Sequence, residues 1–311
     1  MGREWSPDHT ITLEAAARVI AERAPDLAGL PVRLLDSGWD NTVVGVGEEW
    51  LFRFVHRAVA VDGSRRELAV LGRLAGHGSP LPLAVPEPRV VGRTRAGTDG
   101  PGWPFWGALV LPGVELAVAG LGDEERSAVA AALGGFLRVL HHPATARLVA
   151  DVDLPVDPIG RSDTAGVVVP RARARLSRLA GSGVLPPARA LDDLLARAGR
   201  LGPPAATPVL VHGDLHVRHV LVAGPAASGI IDWGDTALAD PCVDLMIGWA
   251  AFTGTARQAF LDAYGPVPPE RELRARALAV GVHAALAEQA ADGGHEALLA
   301  ESLAAIRRAV R

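Results

Sequence analysis

Val209-Leu-Val-His-Gly-Asp-Leu-His-Val-Arg-His-Val-Leu-Val222, followed by Ile230-Ile-Asp-Trp-Gly-Asp235, is the stretch on which the reading of this chain turns. His212, Asp214, His216 and His219 stand between two apolar runs, and Asp232 follows a pair of isoleucines that reads as a buried strand. A lone aspartate after a strand says little, because turns favour it. Two aspartates 18 positions apart, each behind a valine- or isoleucine-rich run and joined by a short hairpin, are predicted to share one end of neighbouring strands. Phosphoryl transfer requires such a pair. One carboxylate takes or aligns the proton of the attacking hydroxyl, and another holds Mg2+ against the charge on the phosphate oxygens. The pattern His-x-Asp-x-x-x-x-His fits the first role, and Ile-Asp-Trp-Gly fits the second.

The same four histidine and aspartate side chains also read as a dense metal cluster of a hydrolase. Such a site needs further ligands from distant loops. The remaining histidines, His9, His56, His77, His141, His142, His283 and His295, supply no second cluster, and His141-His142 before Pro143 reads as a helix cap.

His212-Gly-Asp-Leu-His-x-x-His219-x-Leu, then Ile231-Asp-Trp-Gly-Asp, then Ala239-Asp-Pro-x-x-Asp-Leu245 together resemble the aminoglycoside phosphotransferase family. Histidine at 219, where protein kinases and most aminoglycoside kinases carry asparagine, is more similar to the macrolide phosphotransferases. The resemblance implies that Asp214 is the catalytic base and that His219 and Asp232 are the metal ligands. Mg2+ prefers oxygen, so His219 also reads as a hydrogen-bond donor to phosphate or to metal-bound water. Asp240 and Asp244 read as a helix cap and a brace behind the loop, and His212 as a second brace.

Working outward from this segment, the first third of the chain has period-two strand patterns at 32–35, 42–46, 50–55, 89–92 and 105–111, with helical spacing at 11–24 and 64–74. After Pro112-Gly113 the pattern becomes helical: 123–141, 171–180, 188–200, and 241–311 apart from a break at 264–270, with 151–170 irregular. The expected architecture is therefore α+β, a two-lobed protein-kinase-like fold. A small N-terminal antiparallel sheet lobe with one inserted helix (1–111) would bind nucleotide. A larger, mainly helical C-terminal lobe (112–311) would hold the catalytic and acceptor sites.

A kinase-like first lobe needs a phosphate-covering loop, a cation and a carboxylate that orients it. Ser37-Gly38-Trp39-Asp40-Asn41-Thr42 lies between the first two strands, where Gly38 permits close backbone approach and Ser37, Asn41 and Thr42 offer polar groups. The chain contains no lysine, so all 31 of its basic residues are arginine and the usual strand-three lysine cannot exist. Arg53 takes that place, with Glu67 as its partner 14 residues on. Arginine keeps the charge and can bind phosphate bidentately. The main chain of Val110 and Leu111 is the expected support for the base of ATP or GTP.

Composition narrows the partners. With 35 acidic and 31 basic residues the net charge is -4, which disfavours nucleic acid. The single Cys242 permits no intrachain disulfide, and no apolar run reaches membrane-spanning length, so the expectation is a cytoplasmic protein with no membrane partner. The acceptor is expected over Asp214. Asp157, Asp163, Asp235 and Asp262 are candidate partners for the ammonium groups of an aminoglycoside, His216 a pocket-wall residue, and Trp249 and Phe252 candidate linings for a macrolide. Two further readings share the fold: a metabolite kinase of the choline, homoserine or fructosamine type, and a catalytically silent nucleotide-binding protein.

Overall fold

The computed structural model describes residues 8–38, 40–76, 78–94, 102–205 and 207–311. Trp39, His77, residues 97–101 of the turn before the fifth strand, and the first five residues therefore lie outside the described residues. The chain divides into two compact units, Met1–Ser79 with Val85–Leu111 and Pro80–Ala84 with Pro112–Arg311.

In the first unit, α1 (Leu13–Arg23) begins where the Thr12 hydroxyl accepts from Ala15 N. Strands β1 (Val32–Ser37), β2 (Asn41–Val46) and β3 (Trp50–Val55) are followed by α2 (Val61–Leu74), β4 (Val90–Arg93) and β5 (Pro104–Leu109). The sheet is antiparallel throughout, in the order β1-β2-β3-β5-β4. Alternation along β3 sends Phe52 and Phe54 into a core with Phe105 and the α1 residues Ala16, Val19 and Ile20, and leaves Arg53 on the opposite face. Burying each phenyl ring contributes roughly 1.5–3 kcal/mol. Gly107 faces Phe52 across β3 and β5, and a Cβ there would enter the ring. The strand expected over 105–111 ends at Leu109, because Val110 N turns to donate to Glu49 O at 2.8 Å.

The second unit begins with β6 (Val114–Glu115), and a short 3-10 turn leads into α3 (Ser127–Leu140). Helices α4 (Pro143–Leu148), α5 (Val169–Gly181) and α6 (Arg189–Ala198) precede β7 (Val209–Val211), β8 (Val220–Ala223), β9 (Ala226–Ile230) and β10 (Ala237–Ala239). Helices α7 (Cys242–Ala250), α8 (Gly254–Tyr264), α9 (Pro269–Gly293) and α10 (Glu296–Ala309) complete it. The segment expected to be irregular up to 170 turns helical at Thr164, where the Asp163 carboxylate caps Gly166 N. A further helix break falls at Gly294, whose φ of 69° supplies the left-handed end of α9.

One sequence expectation is corrected here. The strands before Asp214 and Asp232 are not neighbours: β7 pairs with β10, whereas β9 pairs with β8 in the order β6-β8-β9. The hairpin is β8–β9, turning at Gly224 with φ 60°, and the polar run from His212 to His219 is the loop that crosses from one small sheet to the other.

A second correction concerns Trp249 and Phe252. Every residue of α7 is buried, as expected of a helix apolar all round, and Trp249 and Phe252 are 1% and 0% exposed. Both are core side chains with no face open to an acceptor. Among the described residues, no helix is long and apolar enough to cross a membrane.

Candidate active site

The loop between β7 and β8 is held from behind. Asp244, fully buried in the first turn of α7, accepts from His212 N at 2.8 Å and Gly213 N at 3.0 Å. Gly213 is at φ 91°, and a Cβ there would strike the Asp235 carbonyl, so only glycine passes this corner. His141 Nε2 donates to Asp244 Oδ2 at 3.1 Å and His141 Nδ1 accepts from the Tyr264 hydroxyl at 3.0 Å. Both histidines stand at helix ends as expected: His141 is the C-cap residue of α3, and His142 caps α4, its Nδ1 accepting from Ala144 N.

Imidazoles stitch the loop to the strand end that carries Asp232. His212 Nε2 donates to Ile231 O at 3.0 Å while its Nδ1 accepts from Asp214 N, and burial pushes this imidazole below its ordinary value, which keeps it neutral. His219 Nδ1 donates to Asp214 O at 2.8 Å, which turns its Nε2 toward Asp232 Oδ2, 3.5 Å away. Asp232 itself sits at φ 67°, in the left-handed region that a non-glycine residue enters at a cost of about 1–3 kcal/mol, a conformation that clusters at functional sites.

Arg161, which carries no sequence signal of its own, closes the front of the Asp214 carboxylate. Its Nη2 donates to Asp214 Oδ1 at 2.8 Å, and its Nη1 donates to Asp235 Oδ2 at 2.9 Å and to the Gly213 carbonyl. Burial alone would raise the Asp214 carboxyl, but Arg161 first, then His216, His219 and His212, hold it well below the usual carboxylate range. Burial also pushes the Asp235 carboxyl up, Asp214 adds to that, and Arg161 opposes both. Asp240 N reaches the Ser162 hydroxyl, and the Asp240 carboxylate accepts from Cys242 N and Arg271.

The hydrolase reading meets a specific obstacle. Ligand atoms of Asp214, His216 and His219 do lie within 4.8 Å of one another. However, His219 Nδ1 already donates to Asp214 O, and His216 Nδ1 accepts from Arg218 N, which leaves its proton on Nε2. The nitrogens that approach Asp214 Oδ2, His216 Nε2 at 3.6 Å and His219 Nδ1 at 3.8 Å, therefore carry hydrogens and offer no lone pair to a metal. The lone pair of His219 Nε2 faces Asp232 instead, with Nδ1 fixed by a carbonyl in the manner of a metal-ligating histidine. One imidazole nitrogen and one carboxylate oxygen fit a divalent cation that takes its other ligands from phosphate and water. His216 is buried and stacks on His219 with ring centroids 3.9 Å apart, so it backs the loop rather than walling an open pocket.

In the first unit, Arg53 Nη1 donates to Glu67 Oε1 at 2.7 Å, and the two side chains are 12% and 2% exposed. This is a largely buried pair, with the Arg53 guanidinium also 5.6 Å from the Trp106 ring centroid. Of the loop residues, Ser37 pairs with Thr42 across β1 and β2, Gly38 N donates to Asn41 O, and the Thr42 hydroxyl meets His56 Nδ1 at 3.1 Å. Among the described residues, a Cβ at Gly38 would meet Asn41 O at 3.9 Å, an ordinary van der Waals contact.

The sequence model of the Phosphotransferase enzyme family matches residues 31–279. No curated protein matches the chain in sequence. The solved structure of the GDP and kanamycin complex of APH(2")-IIia matches with a TM-score of 0.67 at 21% identity, over 96% of this chain and 98% of that one. Macrolide 2'-phosphotransferase MphH from Brachybacterium faecium matches at 0.58 and 23%, over 94% and 98%. The streptomycin-ATP-APH(2")-IIa ternary complex matches at 0.53 and 17%, over 96% and 99%. At these identities the likeness establishes the fold: the small sheet unit and the helical unit have the kinase-like architecture of antibiotic phosphotransferases.

Proposed function

The chain belongs to the Phosphotransferase enzyme family, and from that premise we propose that it moves the γ-phosphate of ATP or GTP onto a hydroxyl of a small molecule, an antibiotic of the macrolide or aminoglycoside kind. The observation that carries this reading is the setting of Asp214. Its backbone is tied through His219 toward Asp232, its loop is anchored on Asp244, and one carboxylate oxygen is clasped by Arg161 while Oδ2 lies outside that clasp. Asp214 receives the acceptor hydroxyl on Oδ2 and aligns it for attack. Held well below the usual carboxylate range, it is a weak base that stays ionised, which suits a loose transition state in which alignment matters more than early proton transfer.

His219 and Asp232 are the residues that would hold Mg2+. When bound, the ion would neutralise charge on the transferring phosphate oxygens. The first unit, 1–111, is the nucleotide-binding part in this reading, and 112–311 carries catalysis and acceptor binding. Ser37, Gly38, Asn41 and Thr42 cover the phosphates, Arg53 held by Glu67 supplies the phosphate-binding cation, and Val110 and Leu111 support the base. Because Val110 N–H already donates to Glu49, a contact from residue 110 to the base uses its carbonyl oxygen. Both donors are carried forward, since one of the similar structures is a GDP complex and another an ATP complex.

The test is nucleotide consumption with ATP and with GTP over macrolides, aminoglycosides, peptide antibiotics and amino-alcohol metabolites. Acceptor-dependent consumption supports the reading. Nucleotide binding without turnover across the panel would favour the silent protein. Arg53→Met is expected to raise the nucleotide KM by about tenfold or more, the loss of one charge-assisted hydrogen bond. Steady-state kinetics check this, and an unchanged nucleotide KM and kcat would remove Arg53 from the site.

A further inference from the structure

A polycationic acceptor needs carboxylates that are disposed to receive its ammonium groups. The four expected to do so are each engaged within the chain. Asp157 accepts from Arg161 N at 2.7 Å and Ser162 N at 2.9 Å, Asp163 caps Gly166 N, and Asp262 accepts from Gln258 Nε2 at 2.7 Å. Asp235, the one that stands beside Asp214, binds the Arg161 guanidinium.

Arg161 is built in rather than loosely placed. Asp157 N donates to Leu238 O, Leu238 N donates to Pro155 O, and residue 156 bridges residue 238, so the loop before Arg161 is riveted to β10. Asp157 holds the strained φ of 40° in making the two contacts that fix the backbone at 161 and 162. The guanidinium then reaches three acceptors, Asp214, Asp235 and the Gly213 carbonyl, with its side chain only 18% exposed. On the same loop, Val156 and Ile159 are exposed, at 65% and 45%.

We propose that Arg161 is a specificity-determining residue: a resident cation that fills the place beside Asp214 which a substrate ammonium would take. The enzyme thereby disfavours polycationic aminoglycosides, whose several ammonium groups would meet this cation, and favours an acceptor of lower positive charge. This rests on Asp214 being the residue that meets the acceptor hydroxyl. Like charges brought together in a recognition site oppose binding, and removing one relieves that opposition.

The test is equilibrium binding of kanamycin, measured by calorimetry on the wild-type chain, Arg161→Gln and Arg161→Lys. Arg161→Gln is expected to bind kanamycin about tenfold or more tightly than wild type, and Arg161→Lys to behave as wild type, because the charge rather than the fork is what excludes the ligand. ATP or GTP binding by each variant, followed by thermal shift, reports that the fold is intact. A measurement on the wild type alone serves if Arg161→Gln does not fold: its affinity for kanamycin should change little with added salt. A wild-type chain that binds kanamycin as tightly as Arg161→Gln, or whose tight binding weakens steeply with salt as carboxylate–ammonium attraction does, overturns the proposal. Because this readout needs no turnover, absence of phosphoryl transfer would sink the proposed function while leaving the selection by Arg161 to be decided by binding.

Discussion

Asp214→Asn is expected to lower kcat by about 10²–10⁴-fold, the range removed with a positioned acid–base group. Asparagine keeps the shape and retains an oxygen to accept from Arg161 Nη2, now 2.8 Å from Oδ1, so the loop should stay in place. What is lost is the negative charge that receives the acceptor proton and orients the hydroxyl. Nucleotide affinity should stay close to that of the wild type, since Asp214 is proposed to meet the acceptor hydroxyl rather than the nucleotide. The effect should therefore fall on kcat rather than on the nucleotide KM, which separates an aligning carboxylate from a merely structural one. Steady-state kinetics on a folded variant check this. Wild-type kcat in Asp214→Asn would remove Asp214 from the chemistry.

Asp244→Ala is expected to have the largest effect on stability. The carboxylate accepts from three donors, His212 N, Gly213 N and His141 Nε2, at 2.8, 3.0 and 3.1 Å, and is itself 0% exposed. Alanine leaves two backbone N–H groups of the loop without that acceptor, in a place water does not reach freely. Each unsatisfied buried donor costs about 1–3 kcal/mol, so the two together cost roughly 2–6 kcal/mol. At about 2–4 °C per kcal/mol for chains somewhat smaller than this one, the melting temperature should fall by roughly 10 °C. The control is Asp235→Ala, whose carboxylate is 50% exposed and whose loss should move Tm far less. Differential scanning calorimetry on both variants decides it. A melting temperature for Asp244→Ala as close to wild type as that of Asp235→Ala would show that the loop is held by something else.

Elements whose signal is local could be read from the chain. The five-strand unit shows in its alternation, Phe52 and Phe54 inward with Arg53 outward, and the spacing from Arg53 to Glu67 matches a strand followed by a helix whose side chains meet 2.7 Å apart. The aspartates of the 209–235 segment stand out because a carboxylate between apolar runs is rare in a core. Features made by distant contacts were not legible. Arg161 reaches Asp214 across 53 positions, and nothing near it in the sequence distinguishes it from the arginines of α5. His141 was legible as a helix cap, but not its side-chain contact with Asp244, which lies 103 positions on. Trp249 was misread because an all-apolar helix has no periodicity to say that every face is buried. The pairing of β7 with β10 rather than with β9 escaped because strands of 3 to 5 residues carry too little pattern to choose a partner.

The central claim, transfer of a phosphoryl group to a hydroxyl with Asp214 in place, is tested most directly by following the label of γ-labelled ATP and GTP in the presence of each acceptor. The account predicts label recovered covalently on the acceptor, in wild type and not in Asp214→Asn, with the acceptor's mass raised by one HPO3. Label that appears only as inorganic phosphate, at a rate indifferent to the acceptor, would contradict it.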